Sequence, residues 1–257
     1  MEYLKNIRVV LIEPSHPGNI GAVARSMKTM GLSRLVLVKP KKFPHIEATK
    51  RAASAEDVLQ TALVVSTLSA AIDDCSLILG TSVRDREVVW PTVDPRMAAS
   101  NIQLHVTSEN QQAAILFGRE SSGLSNAEMD LCHAQIRIPA NEEYSSLNLA
   151  SAVQIIAYEI RMAALPDSLV KKEGQVKQKT TSSLELRQKN ATSAQYESYL
   201  EHLQQTLEKL DFIKSKPPTM LMRKLTRLYN KAQLSVEEIQ ILRGILTAIQ
   251  TQDKRSN

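Results

Sequence analysis

The chain has 257 residues, 43% of them apolar and 4% aromatic, with a formal net charge of +5 and a pI near 9.1. That is enough for one aliphatic-cored α/β domain and a smaller appendage. Its two cysteines, Cys75 and Cys132, show no C-x-x-C spacing, which argues against a zinc site, and no metal is expected. No apolar run nears the ~18 residues of a membrane span, and the start, MEYLKNIRVVLIEP, lacks a signal-peptide pattern. A cytoplasmic protein without membrane contact is expected.

In chain order, residues 7–12 (IRVVLI) read as a buried parallel strand. SHPGNIGAVARSMKTMG follows, with Asn19 capping a helix over about 20–30 and Gly31 closing it. Residues 34–38 form a second strand and 39–51 a basic loop with two prolines. A short helix at 56–59, a weak strand at 63–66 and a short helix at 68–72 lead to a buried strand at 76–80. Thr81-Ser82-Val83-Arg84 ends that strand, and a polar loop carries Trp90-Pro91. A helix over 95–106, strands at 113–117 and 135–138, and an amphipathic helix over 147–162 complete the pattern. Such alternation predicts an α/β fold with a mainly parallel, doubly wound sheet.

Beyond Leu165 the texture changes. Residues 165–183 read as a Lys-rich flexible linker between a domain at 1–164 and a helical extension at 184–257. Tyr196, Leu200, Leu203, Leu207 and Leu210 mark one helix face within 193–212, and Pro217-Pro218 breaks the chain. In a helix over 219–231, Leu221, Leu225 and Leu228 are expected to face inward and Arg223, Lys224, Arg227 and Lys231 outward. Ser235 and Glu238 form a capping box for the last helix. Residues 1–164 carry 16 Lys/Arg against 17 Asp/Glu, and residues 165–257 carry 16 against 10. The positive excess lies in the extension, as on a nucleic-acid contact surface.

The stretch GNIGAVA lacks the G-x-G-x-x-G order of a dinucleotide fingerprint, and neither a P-loop nor a G-x-S-x-G elbow occurs. Polar residues cluster instead where the strands at 113–117 and 135–138 stop. Ligands of open α/β sheets bind outside such strand ends.

Three separated segments, HPGNIGAVAR (16–25), ILFGRESSGL (115–124) and IPANEEYSSLNLASAVQIIAYE (138–159), resemble the signature motifs of the SPOUT methyltransferases. The likeness is closest to the TrmH-like branch, which methylates ribose 2′-hydroxyls of RNA, and covers about residues 5–164. It implies a C-terminal trefoil knot in the α/β domain, followed by the small all-helical domain. It further implies S-adenosylmethionine bound in the knot, and a homodimer with a shared active site. With the TSVR stretch, the Trp-Pro loop and the basic extension, it implies tRNA as partner and cytidine or uridine at position 32 as target. By position, Thr81, Ser82, Val83, Gly118, Ile138, Ser145, Ser146 and Leu147 would contact the cofactor. Arg25, Glu120, Ser146 and Asn148 would serve catalysis. Arg25 would also touch RNA, as would Arg84 and Arg86 and, in the extension, Arg223, Lys224, Arg227 and Lys231. The helices at 147–162 and 20–30 are candidates for the dimer interface.

Plainer roles stand beside these. Ile138 and Leu147 suit ordinary core, and Glu120 suits a cap of the Ser121–Gly123 turn. Arg84 and Arg86 suit a solvated loop, His16 a local backbone bond, and Trp90 a packed anchor. A ribosomal RNA ribose methyltransferase and a non-catalytic RNA-binding protein with a vestigial pocket remain alternatives.

Overall fold

The computed structural model describes residues 2–83, 90–107, 111–166, 189–213 and 219–253. Among the described residues, seven strands form one sheet: β1 (Ile7–Ile12), β2 (Arg34–Val38), β3 (Leu63–Val65), β4 (Cys75–Thr81), β5 (Thr92–Val93), β6 (Gln112–Phe117) and β7 (Ala134–Ile136). Their order is β3-β2-β1-β6-β4-β7-β5, and every neighbouring pair is parallel. Side chains alternate across the sheet with period two. Ile7, Val9, Leu11, Ala113, Ile115 and Phe117 enter one core. Val10, Ile12, Ala114, Leu116 and Ile78 enter the other. Because both faces are covered, β1 reads as an unbroken apolar run.

The first face packs against α1 (Pro17–Met30), α2 (Ile46–Ala52), α5 (Pro95–Val106) and α7 (Leu149–Ala164). The second lies under α4 (Leu68–Ile72), α6 (Asn126–Asp130) and Trp90. A short helix, α3 (Glu56–Gln60), follows α2. The doubly wound arrangement matches the expectation, and α5 has the predicted bounds because Asp94 caps it and Pro95 opens it.

Several expectations need correction. Residues 39–51 are not all loop: α2 forms there, capped by His45 and buried through Ala48 and Ala52. Helix α1 starts at Pro17 rather than near Ile20, because His16, not Asn19, caps it by accepting Gly18 N–H at 3.2 Å. The local backbone bond is therefore what His16 makes. Helix α7 starts at Leu149, because Asn148 caps it from Ala150 N–H at 2.9 Å. Leu147 and Asn148 stay in the preceding loop. Strand β7 ends at Ile136, which leaves Ile138 in that loop too.

The extension folds as α8 (Ser193–Lys209), α9 (Thr219–Ala232) and α10 (Val236–Asp253) around Tyr196, Tyr199, Leu203, Ile239 and Leu246. Ser235 and Glu238 bond each other's backbone N–H as the sequence predicts. The helical spacing places Leu210 and Leu228 inside, yet both are exposed: Leu210 lies past the end of α8, and Leu228 on the outer side of α9. Arg223 and Arg227 do not simply face solvent. Arg223 pairs with Asp130 at the end of α6, Asn230 Nδ2 donates to the Asp130 carbonyl at 2.8 Å, and Arg227 lies over Trp90. Ala194 N–H donates to the Asp73 carbonyl at 3.1 Å, a further tie to the sheet domain. Among the described residues, no helix is long and apolar enough to cross a membrane.

Candidate active site

The carboxyl ends of β6, β4 and β7 open into one cleft, where the chain reverses direction across the sheet. Strand β6 delivers Gly118, Arg119 and Glu120 there. A tight turn returns the chain: Gly123 N–H donates to the Arg119 carbonyl at 2.8 Å, with Gly123 at φ +66°. The returning backbone crosses so close that a Cβ on Gly118 would stand 2.1 Å from the carbonyl carbon of Gly123. Only glycine fits at position 118.

Glu120 reaches back to the β1–α1 loop. Its carboxylate accepts Ser15 N–H at 3.1 Å, Ser15 Oγ–H at 3.0 Å, His16 N–H at 3.3 Å and Asn19 Nδ2–H at 3.1 Å. Partial burial pushes the carboxyl up, but the bonds from Ser15, Asn19 and His16 outweigh it and hold the group below the ordinary glutamate value. The Asn19 side-chain carbonyl in turn accepts Asn148 Nδ2–H at 3.2 Å. An unbroken chain of bonds thus runs from Glu120 through Asn19 and Asn148 to the first turn of α7. It joins all three motif segments. Because His16 caps α1, the Asn19 amide is free for this link. Among the described residues, the side-chain bonds of Glu120 run to the β1–α1 loop and not to Arg25.

Of the residues predicted to touch a cofactor, Thr81, Ser82, Val83, Gly118, Ile138, Ser146 and Leu147 line this cleft, and half-buried Ser145 does not. Thr81 Oγ donates to the Leu116 carbonyl at 2.9 Å, and Ser82 N–H to the Ile136 carbonyl at 3.2 Å. Leu147 is 36% exposed, so it forms a wall and not core. Phe117, Ile136, Leu149 and Ala152 also line the cleft. Their apolar character is the same as that of ordinary core positions, so the sequence carried no separate signal for them.

Among the described residues, the one cation in the lining is Arg119. Its guanidinium is held by Glu13 at 2.7 and 3.0 Å and by Glu128 at 3.0 and 3.1 Å. Glu13 turns toward it from a left-handed backbone at φ +46°. The bond from Arg119 holds the Glu13 carboxyl below its ordinary value, against the opposing effect of burial. The lining therefore offers loop backbone, small hydroxyls, apolar walls and a carboxylate, with its positive charge neutralised. That donor set suits a ligand with its own positive centre and an apolar ring.

Arg25 sits on the outer side of α1, about two turns from its start, exposed and outside the lining of this cleft. Its side chain makes no hydrogen bond or ion pair among the described residues. Ser146 is exposed at the cleft. Arg84 and Arg86 lie outside the described residues. Lys224 and Lys231 are exposed on α9. Trp90 is buried, its Nε1–H bonded to the Met129 carbonyl at 3.0 Å, and so is a packed anchor.

Comparison with known proteins gives two family matches. Residues 6–158 match the SpoU rRNA Methylase family, and residues 194–257 match the C-terminal domain of the tRNA methyltransferase TrmJ. A tRNA (cytidine/uridine/adenosine-2′-O-)-methyltransferase TrmJ from Pseudomonas aeruginosa is 46% identical over 247 residues, covering 96% of this chain and 95% of the relative. A tRNA (cytidine/uridine-2′-O-)-methyltransferase TrmJ from Sodalis glossinidius is 44% identical over 252 residues, 98% and 94% of the two chains. The crystal structure of TrmJ from Z. mobilis ZM4 superposes with a TM-score of 0.79 at 33% identity, covering 95% of this chain and 98% of that one.

Proposed function

The chain belongs to the SpoU methylase family and ends in a domain of the TrmJ C-terminal type, and on that premise we propose that it is a tRNA ribose 2′-O-methyltransferase. Its cofactor is S-adenosylmethionine, and its target is cytidine or uridine at position 32 of the anticodon loop. The observation that carries this reading is the bond chain Glu120–Asn19–Asn148, which gathers the three motif segments round a cleft whose described lining holds no free cation. An unpaired positive side chain there would repel a sulfonium. The near-full-length likeness to tRNA-modifying relatives and the TrmJ-type domain favour tRNA over ribosomal RNA. The intact Arg25, Glu120, Ser146 and Asn148 set argues against a vestigial pocket.

When bound, S-adenosylmethionine supplies an electrophilic methyl group. The chain's task is to hold the ribose hydroxyl in line with it. Backbone at Gly118, Ile138 and Leu147, with Thr81 and the Ser82–Val83 segment, would hold the cofactor. Ser146 orients the 2′-hydroxyl through a hydrogen bond. Asn148 keeps the Ser146 loop in register with α1. Four donors already occupy the Glu120 carboxylate, so Glu120 acts as a positioning residue and not as a proton acceptor. Arg25 presents a guanidinium fork that suits bidentate binding of the neighbouring phosphate, and there it lowers the local potential.

Arg25 stands outside the cleft of its own chain, which supports a homodimer in which α1 of one protomer serves the cleft of the other. The apolar faces of α1 and α7 are used inside the protomer, so the interface draws on their outer sides, where Tyr158 is 48% exposed. A knot is supported by the position of β7 between β4 and β5, followed by a loop that returns to α1 through Asn148. Residues 1–164 form the catalytic domain and 184–257 the tRNA-binding domain. A tRNA substrate makes the cytoplasm the working compartment.

The test is methylation of unmodified bulk tRNA, read by mass analysis of digested nucleosides. New 2′-O-methylcytidine or 2′-O-methyluridine is expected, and its absence with cofactor binding intact would refute tRNA as substrate. Light scattering of a monomer at micromolar concentration would refute the shared site.

A further inference from the structure

Between α9 and the segment leading into β7 lies a second cleft, of about 320 Å³, that the methyl-transfer chemistry does not use. Trp90 and His133 line one side, and Lys224, Arg227 and Lys231 of α9 line the other. The ring of Trp90 is fixed by its bond to the Met129 carbonyl, and the Arg227 guanidinium lies over it, 5.5 Å from its centroid. Nη1 of Arg227 is buried and has no hydrogen-bond partner. His133 is a second such case. Its Nδ1 accepts Ile78 N–H at 3.0 Å, so the neutral ring carries its proton on Nε2, and that N–H is buried without a partner. A buried donor left unpaired is destabilising unless a ligand meets it. Both donors belong to residues that line this cleft.

Among the described residues, the charged side chains that line the cleft have one sign. Lys224 and Lys231 are exposed and form no ion pair among the described residues. Asp130 Oδ2 is taken by Arg223 while its Oδ1 is buried without a partner, and Glu197 and Glu201 line a neighbouring cleft between α8 and α9 that shares His133 with this one. What remains is a guanidinium fork, two ammonium groups and a buried imidazole N–H. All are donors, and three are cations. A carboxylate has two oxygens to meet them; a phosphate group has more acceptor sites spread over a tetrahedron.

We propose that this cleft is a phosphate-binding site formed jointly by the sheet domain and α9. Phosphate of an RNA strand is one source, which rests on the tRNA reading above; a free phosphate compound is the other. Trp90 is the sole tryptophan of the chain, so its emission reports on the cleft. The full-length protein is titrated with inorganic phosphate against chloride at fixed ionic strength, and separately with unmodified bulk tRNA.

A saturable change with phosphate is expected, with affinity at least tenfold weaker in the Lys224→Gln/Lys231→Gln double variant. Both lysines are exposed, so that variant retains the fold. If RNA phosphate is the natural occupant, tRNA moves the same emission, inorganic phosphate competes with it, and the salt slope of tRNA binding falls by about one for each phosphate no longer held. If tRNA leaves the emission unmoved while phosphate saturates, the site belongs to a free phosphate compound. No saturable change with either probe, or equal affinity in the double variant, overturns the proposal. Methyl transfer on the same samples separates it from the functional reading. Absent methylation with phosphate saturation counts against the enzyme reading alone, and normal methylation with no emission change counts against the site alone.

Discussion

The two clefts are built on opposite principles. In the cleft at the strand ends, every acceptor site of Glu120 is met, and Arg119 is locked between two carboxylates. In the cleft under α9, Arg227 and His133 keep buried donors without partners. A fully satisfied network fixes geometry, while unpaired donors are expensive unless something fills them. The first arrangement suits a site whose work is alignment. The second suits one whose work is attraction.

The contrast can be broken most severely at Gly118. Gly118→Ala drives a Cβ into the returning backbone, so the loop must shift by an ångström or so, a misplacement that costs on the order of 100-fold in rate. Calorimetry should show lost cofactor binding, and unchanged binding would mean that the loop does not touch the cofactor. Glu120→Ala comes next. It strands donors of Ser15, His16 and Asn19, each bond being worth about 1 kcal/mol, so a fall of tenfold or more in kcat/KM is expected, with Glu120→Gln recovering part of it. Equal losses in the two variants would make the charge, not the bond pattern, the relevant property.

Asp130→Ala affects the other region. It removes the partner of Arg223, at about 1–3 kcal/mol, and should raise hydrogen exchange in α8–α10 while cofactor affinity changes less than twofold. Unchanged exchange would show that the remaining ties hold the extension alone.

The gentlest probe is pH. Burial pushes both His133 and His105 from 6.5 down to about 4, so the unfolded chain takes up protons first. Their contribution is intact above pH 6.5 and is lost as pH falls toward 4, so the urea midpoint should decline across that window. A flat profile between pH 6.5 and 5 would contradict burial of the two rings in neutral form.

Legibility in the sequence followed the range of the forces involved. The fully apolar runs of β1 and β6, the caps of α5 and the capping box at Ser235 announce themselves within a few residues. Helix α2 does not, because it is seven residues long, buries only Ala48 and Ala52, and is capped by histidine. Strand β5 has two residues, too few for any period. At the site, the family resemblance picked out Gly118, Ile138 and Leu147, but Phe117 and Leu149 were indistinguishable from core.

By itself, then, the sequence determined the parallel sheet, the basic extension and the three motif segments. Apolar period, turn residues and charge are properties of neighbours along the chain. Only the tertiary structure decided that Asn19 bridges Glu120 to Asn148, and that Arg223 and Arg227 are turned onto Asp130 and Trp90. Those partners stand about a hundred residues apart or more. A period reports that a side chain faces inward or outward, and the folded chain alone selects the group it meets there.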